Sequence, residues 1–274
     1  MERLQVALQK AREMRQGGLS DRARRPPSPN RPAEDHLNEA WAALPKLKLP
    51  ADVLRRNLIA DQTDRTITAP FDLLRTRLIQ LVQENNWHRI AVVSAVASEG
   101  KSLVTLNLAF ALARQADLRT AVYDVDLRRP SLAKKIGLEP VGSLPDVIRQ
   151  KRDFTEHALC YGNNLLLLLN SEVEPNASEL LQSRTMAELL EAIEDAYRPD
   201  IELFDMPPMS AVDDAHGFLR QVDAAIIVMA AESTSIKQLD VAERQVAALT
   251  KVAGVVLNKC NFTDEVYGID YTYY

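Results

Sequence analysis

The chain has 274 residues, 46% apolar and 26% charged, which is the balance of an ordinary globular protein with one large domain and appendages. Cys160 and Cys260 lie a hundred residues apart and the four histidines are scattered, which argues against a disulfide framework or a zinc site and fits a reducing cytoplasm. No run approaches the ~20 apolar residues of a membrane-spanning helix, and the charged N-terminus is unlike a signal peptide, so we expect a cytoplasmic protein.

The charge is distributed unevenly along the chain. Residues 1–33 carry eight Lys/Arg against three Asp/Glu, a net of +5, whereas the remaining 241 residues carry −10. A basic arm on an acidic body can contact an anionic lipid surface, a nucleic acid or an acidic protein, and it can equally be a solvated linker. The charge pattern alone leaves these alternatives open.

The first 69 residues contain little regular patterning. Residues 1–16 predict a short amphipathic helix, with Leu4 and Leu8 on its apolar face. Residues 17–36 combine Gly, Pro, Ser and Arg, a composition that buries too little to fold, and the isolated apolar residues up to 68 predict a segment that wraps the body. We therefore expect a linker and wrapping segment over 17–69, a main domain over 70–259 and a tail over 260–274.

Regular elements begin at Pro70, a proline suited to the first turn of a helix. Apolar runs then predict strands at 89–95, 119–125, 164–170, 201–206, 224–230 and 253–258, with helices at 101–115, 178–197, 213–221 and 235–249 between them. Strands that are apolar on both faces and alternate with helices predict an α/β fold, with a mostly parallel central sheet covered by helices on both faces. Ligands of such sheets bind at the carboxyl ends of the strands.

A phosphate-loop motif follows the first of these strands. The stretch "AVASEGKS", residues 95–102, has the required spacing between its first position and Gly100, Lys101 and Ser102, with a strand before it and a helix after it. In such a P-loop NTPase, backbone N–H groups face the phosphates, Lys101 neutralises the β- and γ-oxygens, and the Ser102 hydroxyl binds Mg²⁺. The predicted ATP-binding residues are Ala97, Ser98, Glu99, Gly100, Lys101, Ser102, Leu103 and Asn258.

Carboxylates follow two further strands. Asp124 and Asp126 are two residues apart, so they share one face of a continuing strand, and their proximity to a polyphosphate argues for Mg²⁺ and a proton acceptor, or else for a cap on the next helix. Asp205 ends the strand of "IELFDMPP" as a Mg²⁺ ligand or a turn residue. Arg128 and Arg129 either reach phosphate or a neighbouring subunit, or are ordinary surface residues. Asn258 either reads an adenine edge or caps its strand.

Taken together and in this order, the motifs resemble the bacterial tyrosine kinases of capsule and exopolysaccharide synthesis. The matching stretches are "SAVASEGKS", "VYDVDLRRPSL", "EPNASELLQSRTMAELL", "LFDMPP", "VVLNK" and the tyrosine-rich end, so the resemblance covers residues 70–274. It implies an ATP- and Mg²⁺-dependent autokinase, in which 70–259 is the kinase domain and one subunit phosphorylates the tail of its neighbour in a ring. It also implies a transmembrane polysaccharide chain-length regulator on a separate chain, which recruits the kinase to the inner face of the membrane, and a phosphotyrosine phosphatase; we expect no nucleic-acid partner.

The resemblance also implies roles for individual residues. Lys101 and Ser102 contact phosphate and Mg²⁺, Asp124 is the base for the tyrosine hydroxyl, and Asp126 and Asp205 are metal-site carboxylates. Two departures from the family pattern stand out: Ala97 and Ser98 replace a common Pro-Gly pair, and a Glu-x-x-Arg-x-x-Arg ring motif is reduced to Ala69, Asp72 and Arg75, with Arg77 nearby. The phosphate-binding core of the loop is intact, but the oligomeric state is left open.

The C-terminal stretch "DEVYGIDYTYY" contains four of the seven tyrosines of the chain, namely Tyr267, Tyr271, Tyr273 and Tyr274. We expect these to be the autophosphorylation sites, the alternative being that they dock the terminus onto the body. Two other functions compete with the kinase. A partitioning or division-site ATPase of the same fold would carry a second lysine at the position of Val96, and a non-catalytic nucleotide-gated scaffold would not need all three carboxylates.

Overall fold

An eight-stranded sheet forms the centre of the computed structural model, which describes residues 34–59, 65–138, 142–210 and 213–260. The strands are β1 (Lys46–Leu47), β2 (Arg89–Ser94), β3 (Thr120–Asp124), β4 (Leu159–Tyr161), β5 (Leu165–Leu168), β6 (Ile201–Asp205), β7 (Ala224–Ala230) and β8 (Lys251–Asn258). Their order is β1-β4-β5-β3-β6-β2-β7-β8, and every neighbouring pair is parallel except β4 and β5. The predicted mostly parallel sheet is confirmed.

Helices cover both faces of this sheet. They are α1 (Glu34–Ala43), α2 (Ala51–Arg56), α3 (Arg65–Asn85), α4 (Lys101–Ala113), α5 (Leu132–Lys135), α6 (Leu144–Ile148), α7 (Phe154–His157), α8 (Ala177–Leu181), α9 (Arg184–Tyr197), α10 (Asp213–Phe218) and α11 (Ile236–Ala247). Alternate strand residues point to opposite faces, so Ala91 and Tyr123 pack with α1, α9, α10 and α11, while Ile90 and Val122 pack with α2, α3, α4 and α5. This two-sided burial explains the continuous apolar strands.

The segment upstream of the predicted domain boundary is part of the body. Leu37, Trp41 and Leu44 are buried in the core, and the Trp41 indole donates a hydrogen bond to the Tyr197 carbonyl at 2.7 Å. The expectation that Pro70 begins a helix was wrong, because α3 already starts at Arg65 and Pro70 lies inside it. A proline so near a helix start removes only one N–H donor of the early turns, and the helix continues through it.

Several other elements differ from expectation. The helix expected over 178–197 is interrupted, because the Ser183 hydroxyl accepts a hydrogen bond from Met186 N at 3.2 Å and so begins α9 as a new helix. The helix expected over 213–221 ends at Phe218 and continues as a 3₁₀ turn, Leu219–Gln221. Strands β1 and β4 and helices α5, α6 and α7 were missed, because elements of two to five residues are too short to show a repeating pattern.

Several predictions concern residues outside the described ranges. These are the amphipathic helix at 1–16, the linker up to residue 33 and the four tail tyrosines. Within the described ranges, no helix is both long and apolar enough to cross a membrane.

Candidate phosphoryl-transfer site

The carboxyl ends of β2, β3 and β6 bring the predicted site residues to one edge of the sheet. Asp124 and Asp205 are direct register partners on β3 and β6, and Val92 of β2 is the partner of Asp205 on its other side. The phosphate loop continues from β2 into α4, which begins at Lys101. Motifs that are far apart in the sequence therefore converge, as expected for a parallel sheet.

The backbone of the phosphate loop adopts conformations that favour glycine at two positions. Gly100, the N-cap of α4, has φ +94°, which strains any other residue, and a Cβ there would lie 2.1 Å from Asn258 Nδ2 and would displace this amide. Ser98 has φ +66°, a left-handed conformation that costs a non-glycine residue about 1–2 kcal/mol. The contacts of the loop with the rest of the domain must offset this cost.

The buried side chain of Glu99 connects the phosphate loop to the rest of the domain. The Glu99 carboxylate, only 1% exposed, accepts hydrogen bonds from Val96 N at 2.9 Å and from the Thr234 hydroxyl. The Thr234 hydroxyl in turn accepts from Ala230 N at 3.0 Å, at the end of β7. The side chain of Glu99 therefore links the loop to the β7–α11 turn, and we call this Glu99–Thr234 contact the strut. The sequence did not reveal this role, because the partner of Glu99 is 135 residues away.

Lys101 connects the loop to the carboxylates. Its ammonium lies 2.8 Å from Asp126 Oδ2, and both side chains are largely buried. Burial alone would lower the pKa of Lys101, but the nearby charges of Asp205 and Asp126 outweigh this effect and raise it. Lys101 therefore carries a positive charge at the mouth of the loop, where phosphate oxygens would bind.

In Asp124 and Asp205, one carboxylate oxygen accepts hydrogen bonds and the other has no hydrogen-bond partner among the described residues. Asp124 Oδ2 accepts hydrogen bonds from the N–H groups of Ser131 (3.2 Å) and Leu132 (3.0 Å), whereas Oδ1 is buried and has no partner among the described residues. Asp205 Oδ1 accepts a hydrogen bond from the Thr105 hydroxyl at 3.4 Å, and its buried Oδ2 likewise lacks a partner in the described part of the chain. The capping role considered for Asp124 is thus present, and it leaves one oxygen for chemistry.

Burial, with added repulsion from neighbouring carboxylates, raises the pKa of both carboxyls. Desolvation, followed by the charge of Asp205, raises the pKa of Asp124 well above its usual range. Burial also raises the pKa of Asp205 to about 6, although the positive charge of Lys101 acts in the opposite direction. Such perturbed carboxyls side by side are typical of functional sites.

This donor set fits a magnesium ion that arrives with phosphates. Mg²⁺ prefers oxygen ligands and usually combines one or two carboxylates with phosphate oxygens and water. The buried Oδ2 of Asp205, which has no partner among the described residues, meets that requirement, and the Ser102 hydroxyl in the first turn of α4 hydrogen-bonds the same carboxyl. Across the described ranges, no three His, Cys, Asp or Glu side chains form a ready-made metal site, which is expected where the nucleotide supplies the remaining ligands.

Of the other candidate residues, Arg128 and Asn258 form side-chain contacts within the domain. Arg128 forms a two-pronged ion pair with the buried Asp214, at 2.5 and 3.1 Å, whereas the Arg129 side chain is exposed. Asn258 Nδ2 donates to the Glu99 carbonyl at 2.9 Å, so this residue contacts the phosphate loop itself.

On the reduced ring motif of α3, Asp72 pairs with Arg75 at 3.1 Å and also with Arg114. The Arg75 guanidinium also donates to the Ala111 carbonyl at 3.3 Å, on the neighbouring helix α4. The one arginine of the motif that the sequence retains is therefore engaged within its own chain. A ring assembled through this motif stays a prediction.

Comparison with known proteins places this geometry in a family. The model of the CobQ/CobB/MinD/ParA nucleotide binding domain matches residues 90–266. The tyrosine-protein kinase YwqD of Bacillus subtilis is 29% identical over 209 residues, covering 75% of this chain and 86% of the relative. The tyrosine-protein kinase CpsD of Streptococcus pneumoniae is 30% identical over 184 residues, covering 66% of this chain and 79% of the relative.

Among solved structures, the chimerical protein CapA2B2 superposes with a TM-score of 0.68 at 24% identity, covering 83% of this chain and 99% of that one. This structural likeness supports the fold, and the sequence relatives identify the group within the family to which the chain is most similar. The chain belongs to the CobQ/CobB/MinD/ParA nucleotide-binding family and, within it, to the bacterial tyrosine-protein kinases.

Proposed function

We propose that this protein is an ATP- and Mg²⁺-dependent kinase that phosphorylates the tail tyrosines Tyr267, Tyr271, Tyr273 and Tyr274 of a neighbouring copy. The observation that carries the proposal is the pair of free, buried oxygens on Asp124 and Asp205 beside the Lys101–Asp126 ion pair. Buried carboxylate oxygens without hydrogen-bond partners cost stability, so their place next to a phosphate loop argues for a ligand that completes them.

The phosphates of ATP would bind to the N–H groups of the loop and to the N-terminus of α4, which favours anions. Lys101 would move its ammonium from Asp126 to the β- and γ-oxygens, a short step because its charge is already held at the loop. Ser102, Asp126 and Asp205 would hold Mg²⁺, which when bound neutralises charge on the transferring phosphoryl group.

Asp124 is the proposed base. As the tyrosine oxygen attacks the γ-phosphorus, its proton passes to the free Oδ1 of Asp124, and the bond between the γ-phosphorus and the bridging oxygen breaks with ADP as the leaving group. The hydrogen bonds from Ser131 and Leu132 to Oδ2 would hold the carboxylate in place during this transfer. The raised pKa of Asp124 makes it a stronger proton acceptor once ionised.

The length of the tail suits transfer between copies. Residues 260–274 span at most about 50 Å, at roughly 3.3 Å per residue, a length compatible with reach to a neighbouring site as well as to the chain's own. Each phosphate adds about −1.5 to −2 charges to a segment with no Lys or Arg after Lys259. The accumulated repulsion would expel the tail and loosen a homo-oligomer, which light scattering of phosphorylated and phosphatase-treated protein would detect as a change in mass.

We place this kinase in the control of exopolysaccharide or capsule polymerisation and export. Its proposed partners are a transmembrane chain-length regulator, which would recruit it to the inner face of the membrane, and a phosphatase that resets the tail. The support for this step is the resemblance of the motifs to kinases of capsule and exopolysaccharide synthesis.

The test is to incubate the full chain with Mg²⁺-ATP and the cytoplasmic segment of the regulator and to map phosphate by mass spectrometry. We expect phosphate on the tail tyrosines, and none in Lys101→Met. Release of ADP without phosphotyrosine would favour an ATPase switch, and binding of ATP without turnover would favour a scaffold. Either outcome contradicts the kinase.

A further inference from the structure

The end of β8 contacts the backbone of the phosphate loop through two hydrogen bonds. Asn258 Nδ2 donates to the carbonyl of Glu99 at 2.9 Å, and Lys259 Nζ donates to the carbonyl of Ser98 at 2.7 Å. These two carbonyls belong to successive peptide groups of the loop. Two neighbouring residues of one strand end therefore fix two neighbouring peptides.

Because the peptide bond is planar, a contact that fixes the carbonyl of a peptide group also fixes the direction of its N–H group. In a trans peptide the N–H group points away from the carbonyl of the same peptide. Contacts that hold the Ser98 and Glu99 carbonyls towards β8 therefore turn the N–H groups of Glu99 and Gly100 the opposite way. The left-handed φ values of Ser98 (+66°) and Gly100 (+94°) are those of a loop whose successive N–H groups converge on an anion.

The close approach of Asn258 depends on Gly100. A Cβ at Gly100 would collide with Asn258 Nδ2, so the glycine makes room for the amide to reach the loop. A side chain at this position would therefore displace the Asn258 amide from the loop. The Asn258 amide is part of the loop's support in this structure.

We propose that Asn258 and Lys259 are positioning residues that orient the phosphate-binding N–H groups by holding the carbonyls of the same peptides. Lys259 has no other assigned role, and it directly precedes the tail segment 260–274. The proposal rests on the nucleotide binding of the proposed function, but not on phosphoryl transfer to tyrosine. A chain that binds nucleotide and labels no tyrosine would leave it standing.

Binding of inorganic tripolyphosphate separates orientation of the loop from recognition of the base, since this probe has no adenine. We would measure dissociation constants of tripolyphosphate and of ADP by calorimetry, with Mg²⁺, on the full chain and its Asn258→Ala variant. The loss of one orienting hydrogen bond should weaken both ligands in parallel, by about threefold to tenfold. Because Asn258 is neutral, this variant changes no charge at the site.

Lys259 variants test the second contact. Lys259→Met should weaken both ligands by a similar factor, and Lys259→Arg, which keeps a donor, should recover most of the affinity. Lys251→Met is the matched control, because Lys251 is an exposed lysine at the opposite end of the same strand, and it should bind both ligands as the wild type does.

Three outcomes would overturn the proposal. If Asn258→Ala weakens ADP but not tripolyphosphate, Asn258 reads the base. If both variants bind both ligands as the wild type does, the contacts are incidental. If the wild type itself does not bind tripolyphosphate, the loop is not a preorganised anion site.

Discussion

The two ends of strand β6 each carry a buried carboxylate, and these carboxylates differ in their hydrogen-bond partners. Near its start, Glu202 is fully buried and both of its oxygens are used, one by the Tyr123 hydroxyl and the other by Arg89 Nε at 3.0 Å. At its end, Asp205 and the adjacent Asp124 are equally buried, and each keeps an oxygen without a partner among the described residues. A satisfied buried charge specifies structure, whereas an unsatisfied one indicates a ligand site.

The same contrast explains why a raised pKa alone does not identify the site. Burial raises the pKa of Glu202 too, although Arg89 and the hydrogen bond from Tyr123 act against it. What differs at Asp124 and Asp205 is the free oxygen and the position at the carboxyl edge of the sheet. Substitutions at the two ends of β6 should therefore affect different properties.

The largest effect is expected at Lys101. Lys101→Met removes the charge that would bind the transferring phosphoryl group, so the rate of phosphotyrosine formation should fall by at least about 100-fold. The rate is measured by quantitative mass spectrometry under saturating Mg²⁺-ATP. Lys251→Met is again the control, and activity in Lys101→Met within a few-fold of wild type would place the site elsewhere.

The next comparison pairs Asp205→Asn with Glu202→Gln. Glu202→Gln leaves the Arg89 guanidinium without its main carboxylate, so the free energy of unfolding should fall by about 2 kcal/mol while the folded protein stays active. Asp205→Asn removes a charge whose burial is unfavourable, so stability should hold or rise while phosphorylation falls sharply. Urea titration and initial rates of both variants measure the two properties, and a loss of stability without loss of activity in Asp205→Asn would reverse the assignment.

The pH dependence of stability should reveal the raised pKa of Asp205. The pKa of Asp205 rises from 3.8 to about 6 on folding, so the native state binds the proton more tightly than the unfolded state. Its contribution is favourable to folding at low pH and is lost as pH rises from about 4 to about 6, a change of about 2–3 kcal/mol. Urea titrations across this range should show Asp205→Asn gaining stability relative to wild type as pH rises, and a constant difference would contradict the raised pKa.

The smallest effect is expected at the strut beneath the loop. Thr234→Val keeps the shape of the side chain but removes its hydrogen bonds with Glu99 and Ala230, so the free energy of unfolding should fall by about 1 kcal/mol. Ser233→Ala, at an exposed neighbouring position, should be neutral. A Thr234→Val variant as stable as Ser233→Ala would show that the strut does not support the loop.

Much of the fold and the core of the site follow from local patterns. The apolar strands and the Gly-Lys-Ser motif predicted the sheet and the edge at which Lys101, Asp124 and Asp205 meet. The helix α1 was also within reach, because Leu37, Trp41 and Leu44 follow helical spacing, although the polar residues around them obscured it.

Contacts between distant parts of the chain were out of reach. The Glu99–Thr234 and Arg128–Asp214 contacts join residues 135 and 86 positions apart, and no local pattern selects one such partner over many equivalent side chains. Lys259 lay beside a recognised motif position, but its role depends on the three-dimensional path of the loop. Sequence therefore predicted which side chains meet at the carboxyl edge of the sheet, and the structure identified the residues that contact them.

The most direct test of the central claim is the initial rate of tail phosphorylation in Asp124→Asn, measured with saturating Mg²⁺-ATP and the regulator segment, beside folded Glu202→Gln. We expect a fall of at least about 100-fold for Asp124→Asn, because an amide cannot accept the tyrosine proton, and a rate near wild type for Glu202→Gln. Equal rates for the two variants would contradict the claim that the free carboxylate oxygens at the end of β3 and β6 form the site of phosphoryl transfer.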